Sequence, residues 1–288
     1  MAWELSEEHE QLRGVVADFA AREVAPRAAE FDAAGALPVE LIHAMGDLGL
    51  FGITFPESVG GGGGDFTSLC VAIEELGRVD QSVGIALSAG VGLGANPIYS
   101  FGNAEQQERW LPDLVSGRAL GAFGLTEPDG GSDAGATRTK ARRDGDEWVI
   151  DGAKAFITNS GTPITSIVTA TARDEDGRIS AYIIPSGTPG FEVSPPLNKL
   201  GWHASDTHDL TFDGVRVPVG NLLGEPGNGF RAFLQILDDG RIALSALSLG
   251  MARACLEIAL DYAKERNAFG GPIGRFQGLA FQLSDLAV

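Results

Sequence analysis

Residues 124–135 read GLTEPDGGSDAG, and this stretch decides how the chain divides. Pro128 and the glycines at 130 and 131 exclude a helix through it, and a strand entering from the N-terminal side stops at Thr126. What remains is a tight irregular loop carrying Thr126, Glu127, Asp129, Ser132 and Asp133. Asp129 and Asp133 read most simply as turn formers. The sequence changes its rhythm at this loop.

Upstream, apolar residues recur at helical spacing. Leu12, Val15, Val16 and Phe19 share one face, with Ser6 as N-cap and Glu7 and Glu8 at the positive end of the helix dipole. Pro26 ends or kinks that helix. A second starts near Pro38 with Leu41, Ile42, Met45 and Leu48, and Gly49 stops it. A third follows Asp65 with Leu69, Ala72, Ile73 and Leu76. Asn103 caps a fourth, whose buried face carries Trp110, Leu111 and Leu114. Residues 81–104 hold no charge, which tempts a membrane-span reading. Their glycines, Pro97 and Asn96 predict instead a buried helix or helix pair lining an apolar pocket.

Downstream, from about residue 119 to 226, the turn pairs Asp144-Gly145, Asp151-Gly152 and Asp176-Gly177 separate short runs (EWVI, AFIT, SIVTATA, SAYIIP) rich in β-formers. This predicts an antiparallel β domain. Helix returns near 227 with Phe230, Phe233, Leu234, Leu237, Leu244, Leu247, Met251, Leu256 and Leu260 on more than one side, which predicts burial inside a bundle. Another helix starts near Gln277. The expected domains are 1–118 helical, 119–226 β and 227–288 an incomplete helical bundle, an α+β multidomain chain. One long helix and the start of another do not close a bundle, so partners come from another chain or from sequence beyond Val288.

The 288 residues carry a net charge of −18, which disfavours nucleic-acid partners. The acidic N-terminus lacks an apolar leader core, and Cys70 and Cys255 stand alone, read as reduced buried hydrophobes of a cytoplasmic protein with no membrane span. His9, His43, His203 and His208 show no metal-ligand spacing with cysteine. GVGLGA at 90–95 matches a dinucleotide fingerprint but follows no strand. No GxSxG elbow surrounds Ser132.

The helical–β–helical order, with GLTEPDGGSDAG at the first boundary, resembles the acyl-CoA dehydrogenase family. Gly124 to Asp133 fit every position of that family's first signature. FPESVGGGGGDFTS (55–68), KAFITN (154–159, with Phe156 for the usual Trp), NKLGWHASDTHDLTFDGVRVP (198–218), LDDGRI (237–242) and ERNAFGGPIGRFQG (265–278) follow in family order.

The resemblance implies FAD as cofactor, with Phe123, Leu125, Thr126, Gly131, Ser132, Phe156, Ile157 and Thr158 around it. The Phe123–Thr126 backbone and the Thr126 hydroxyl would serve the flavin pyrimidine edge, where charge gathers on reduction. Thr158 would meet flavin N5. Arg266, a pyrophosphate clamp, would reach a neighbouring subunit's cofactor together with Phe269 and Gln277. Ser132, Asp238 and Arg241 would contact substrate, although Asp238 and Arg241 also suit a simple i,i+3 ion pair. The implied reaction is α,β-dehydrogenation of an acyl-CoA to the trans-2-enoyl thioester in fatty-acid metabolism. Electrons pass to an electron-transferring flavoprotein, and the chain works as a homo-oligomer, a dimer or homotetramer.

One departure stands out. The family's catalytic Glu lies in a Tyr-Glu-Gly-like stretch that this sequence lacks, and the alternative position on the long helix is Gly240. The catalytic base is therefore unknown. Other readings are a catalytically incompetent flavin/acyl-CoA-binding fragment, or an acyl-CoA oxidase or flavin monooxygenase on the same fold.

Overall fold

The computed structural model describes residues 4–288. Helix α1 (Glu7–Phe19) begins at Ser6, whose side chain accepts from the His9 N–H in a reciprocal capping box. A π turn (Ala20–Val24) and a 3-10 turn holding Pro26 (Ala25–Arg27) follow, so the proline breaks the α geometry where its missing N–H requires. The chain continues through α2 (Ala28–Ala34), α3 (Val39–Asp47), α4 (Phe66–Val79), α5 (Gln81–Ser88), α6 (Asn96–Phe101) and α7 (Ala104–Val115). Gly49 stops the segment after α3 at φ 76°. Asp65 caps α4 and an Asn103–Gln106 box caps α7. The uncharged stretch is α5, a π-helical segment (Ala89–Ala95) and α6, largely buried. A single core joins these helices, with Phe31, Phe51, Ile73, Leu87 and Ile98 at its centre.

The sheet comprises β1 (Leu120–Gly124), β2 (Lys140–Asp144), β3 (Glu147–Thr158), β4 (Thr165–Arg173), β5 (Ile179–Pro185), β6 (Phe191–Val193), β7 (Thr207–Pro218) and β8 (Leu222–Leu223). Its order is β6-β7-β3-β2-β4-β5-β8. Pairing is antiparallel apart from β1, which lies parallel to β4, and one parallel Lys140–Arg173 contact. Gly145 and Gly177 turn the hairpins at positive φ. Asp151-Gly152 does not turn. It lies inside β3 at a register shift against β7, and the position requires glycine because a Cβ there would stand 2.6 Å from Thr139. EWVI and AFIT are thus one long bulged strand.

Helix α8 (Gly229–Glu265) follows, then a two-strand ribbon, β9 (Asn267–Ala268) with β10 (Gly271–Pro272), and α9 (Gln277–Ala287). The expected all-round burial of α8 does not hold. Phe233, Ile236, Ala243, Leu247 and Gly250 are buried, while Leu234, Leu244, Met251, Ile258 and Leu260 are exposed, because α4 and α5 cover only one stripe. By length and composition α8 is the one helix among the described residues that could cross a membrane. Its buried stripe is seated on protein: a methyl on Gly250 would come 2.2 Å from Glu74 O. Arg253 reaches both Glu74 and Glu75, and Arg78 bonds Glu257 at 2.7 Å. Cys255 is also a correction, since it is exposed on α8, and Cys70 is only partly buried.

Candidate functional site

β1 delivers the loop quoted above, and the loop is held almost entirely by groups beneath it. Glu127 exchanges two backbone hydrogen bonds of 3.1 Å with Gly130, closing the turn over Pro128 and Asp129. The Glu127 carboxylate accepts from Arg138 N (2.6 Å), Thr139 N (3.1 Å) and Lys154 Nζ (2.8 Å). Arg173 donates to Gly135 O and Thr137 O. Lys154, on β3, is fully buried, and a Cβ at Gly124 would sit 3.2 Å from its Cγ. The glycine therefore makes room for the lysine stem. Burial pushes the Lys154 ammonium down to about 8, with Glu127 opposing. Burial alone would raise the Glu127 carboxyl; Lys154 and the two backbone donors outweigh it and hold the group below its usual value.

With the loop pinned from below, its upper side presents donors. Thr126 O accepts from Ala155 N at 2.9 Å, whereas the Thr126 N–H and hydroxyl have no protein partner among the described residues. Gly131 and Ser132 are exposed, and Asp129 is taken up by an ion pair with Arg138. Phe123 is nearly buried, stacked on Phe233 of α8 at 3.9 Å between centroids. Leu125 is buried too.

The KAFITN stretch ends β3 beside this loop. Phe156 adopts φ 61° and exposes 68% of its surface. The Asp209 carboxylate accepts its N–H at 3.1 Å, which holds a conformation that a bulky residue rarely adopts. Thr158 is half-buried, paired with Thr207 of β7. The Ile157 side chain points into the sheet core, so only its main chain can serve a ligand. Asn159, at φ 58°, donates to Ala86 O of α5 at 3.2 Å. That bond ties the strand end to the helical domain.

Ile85 and Ser88 of α5 also border an apolar cavity of about 390 Å³. Phe55, Phe66, Leu69, Ile85, Val91, Leu93 and Tyr99 line it from the N-terminal domain, and Leu237, Asp239, Gly240, Arg241, Ala243 and Leu244 from α8. The wall is joined to the donor loop twice. Gly94 packs against the backbone of Gly121 in β1, where a Cβ would meet Gly121 O at 2.7 Å, and Phe233 stacks on Phe123 at the end of the same strand. The uncharged 81–104 segment thus lines an apolar pocket as expected. Arg241 stands at the cavity, with Asp238 holding its guanidinium. Gly240 also faces it, and a Cβ there would meet nothing within 4 Å.

Arg266, Phe269 and Gln277 are not brought to this site. All three are exposed, and Arg266 begins the turn after α8, about 50 Å along the helix axis from Phe233 at 1.5 Å per residue. Sequence reasoning missed Lys154, Asn159 and Asp209. The signals were a lysine inside an apolar strand run, an Asn at a strand end able to take a left-handed turn, and an Asp within β7. None of these is decisive before the sheet register is known. Trp202, at φ 52° and partly exposed, was also passed over.

Residues 6–118 match the acyl-CoA dehydrogenase N-terminal domain, 122–215 its middle domain and 227–288 its C-terminal domain. A probable acyl-CoA dehydrogenase of Bacillus subtilis, YngJ, is 49% identical over all of this chain and 77% of its own length. The structure of butyryl-CoA dehydrogenase from Megasphaera elsdenii superposes with a TM-score of 0.95 at 41% identity, covering 100% of this chain and 76% of that one. A glutaryl-CoA dehydrogenase from Mycobacterium smegmatis, solved with FADH2, gives 0.93 at 33% identity, covering 98% and 72%.

Proposed function

The chain belongs to the acyl-CoA dehydrogenase family, and from that premise we propose that it oxidises an acyl-CoA thioester between Cα and Cβ at the junction of the donor loop and the apolar cavity. The observation that carries this reading is their common wall: β1 ends in the unpartnered Thr126 donors and is packed against the two elements, the 89–95 segment and α8, that line the cavity. The cofactor is FAD, the group whose reduced form the glutaryl-CoA dehydrogenase relative holds in the crystal. The donor set fits it: an unpartnered N–H and hydroxyl at Thr126, an exposed aromatic at Phe156, and a half-buried Thr158. When bound, FAD supplies the two-electron oxidant that takes hydride from Cβ.

The chain's own residues do the rest. Thr126 would hold the pyrimidine edge and Thr158 the face near the reacting carbon. Phe156 would wall the ring, and the cavity would exclude water from the acyl chain. Arg266, Phe269 and Gln277 would act on a neighbouring copy's cofactor. The separation of about 50 Å along α8 supports a homo-oligomer, since one copy cannot bring them to its own Thr126. An electron-transferring flavoprotein as acceptor, a cytoplasmic location and these residue roles belong to the same reading.

A second reading, binding without dehydrogenation, is favoured by one observation. The long-helix base position is Gly240, with open space around it, so no carboxylate stands there to take the α-proton.

The visible spectrum of the purified chain after gel filtration, followed by dye-linked oxidation of acyl-CoA thioesters, tests both. A flavin band near one per chain with dye reduction supports the first reading. A flavin band with no turnover supports the second. A colourless protein overturns both for this chain, and peroxide formed in step with substrate would make it an oxidase.

A further inference from the structure

Lys154 is fully buried and does not line the apolar cavity, yet it sits directly under the loop that carries the Thr126 donors. Its ammonium donates to Glu127 Oε1 (2.8 Å), Thr171 Oγ1 (3.1 Å) and Leu125 O (3.3 Å). The third contact is informative. The Leu125 carbonyl and the Thr126 N–H are the two ends of one planar peptide. A charged donor on the oxygen draws electron density toward it and makes the N–H at the other end a stronger donor. The same bond fixes the direction of the Leu125 carbonyl, and the planar trans peptide sets the N–H opposite it, so the N–H is aimed as well as polarised.

An amide arranged this way favours whichever form of its ligand carries more negative charge at the contact, and for a flavin that is the reduced form. We infer that Lys154 is a positioning residue which, through Leu125 O, polarises the Leu125–Thr126 peptide and stabilises the reduced over the oxidised cofactor. The inference rests on the reading that places the flavin pyrimidine edge at Thr126. Glu127 has the companion task of keeping a buried cation charged. Gly124 completes the device, because any side chain there would meet the lysine stem.

The test is the midpoint potential of FAD bound to the full chain, measured with its affinity for oxidised FAD and its thermal midpoint. Lys154→Met alone leaves Glu127 unpaired and can fail to fold, so the working variant is Lys154→Met/Glu127→Gln. It is expected to bind reduced FAD about tenfold less favourably relative to oxidised FAD, a potential lower by about 30 mV for a two-electron couple. Thr171→Val removes another buried partner of Lys154 but not the Leu125 bond, and should shift that ratio less than twofold. A general loss of packing would move the two variants together. An unchanged potential in the double variant, or an equal shift in Thr171→Val, overturns the inference while leaving the flavin site standing. Failure of the wild-type chain to hold FAD overturns the siting of the flavin and this inference with it.

Discussion

The two ends of α8 are built from similar residues, yet the first has a stripe of large apolar side chains buried and the second leaves its own open. In the first half, Phe233, Ile236, Ala243 and Leu247 are buried against β1, α4 and the cavity wall. In the second, Ile258 is 71% exposed, and Tyr262 and Phe281 of the neighbouring α9 are also open. Helical periodicity states which residues are apolar, and supplies no surface to put against them. Burial is a property of the partner, and among the described residues α4 provides one along a single stripe as far as Gly250 and Arg253, while Ile258 beyond it lies open. The same contrast separates the donor loop, pinned by Arg138, Thr139, Lys154, Ala155 and Arg173, from the exposed Arg266, Phe269 and Gln277.

Breaking the donor loop should have the largest effect. Lys154→Met strands the Glu127 carboxylate, itself 6% exposed, in a buried site, at a cost of about 3–5 kcal/mol. Urea unfolding should show it, with most of the loss recovered on adding Glu127→Gln. Similar losses in the single and double variants would mean the ion pair does not organise this region.

The halves of α8 can be set against each other directly. Phe233→Ala, which removes a 1% exposed ring stacked on Phe123, should cost about 3–5 kcal/mol, and Ile258→Ala less than about 0.5 kcal/mol. Comparable losses would show that the distal half is covered in solution. Within α8, Gly250→Ala forces a methyl toward Glu74 O and should cost about 1–3 kcal/mol. Gly240→Ala meets open space and should gain about 0.5–1 kcal/mol of helix propensity. Thermal scans of the pair would refute the close α4–α8 seat if both changed alike.

The smallest effect is in pH. The folded-state pKa of Glu127 lies below its unfolded value of 4.5. Its contribution is therefore fully present above about pH 4.5 and is lost as pH falls through the folded value. The wild-type chain should lose stability below pH 4.5 more steeply than Lys154→Met/Glu127→Gln. Parallel acid-unfolding curves would assign that slope to other carboxylates.

Much of this was legible locally. Ser6, Asp65 and Asn103 cap helices because a short polar side chain reaches the first free N–H groups. Gly49 and Gly145 sit where a positive φ is needed. The Asp151-Gly152 pair misled because a turn and a bulge both favour Gly, and only the facing Thr139 distinguishes them. Cys255 misled because a small apolar residue on a helix is buried only if something lies over it.

The sequence by itself determined the order of helical and β segments, the loop at 124–135 and the family signature, since these depend on backbone preferences and spacing along the chain. Only the tertiary structure decided that β1 runs parallel to β4, and that Lys154 passes beneath Gly124 to Leu125 O. It alone placed the 89–95 segment and α8 at both the donor loop and the cavity. Each of these is a contact between residues dozens of positions apart, fixed by sheet register and helix packing, and neither has a period that a sequence can display.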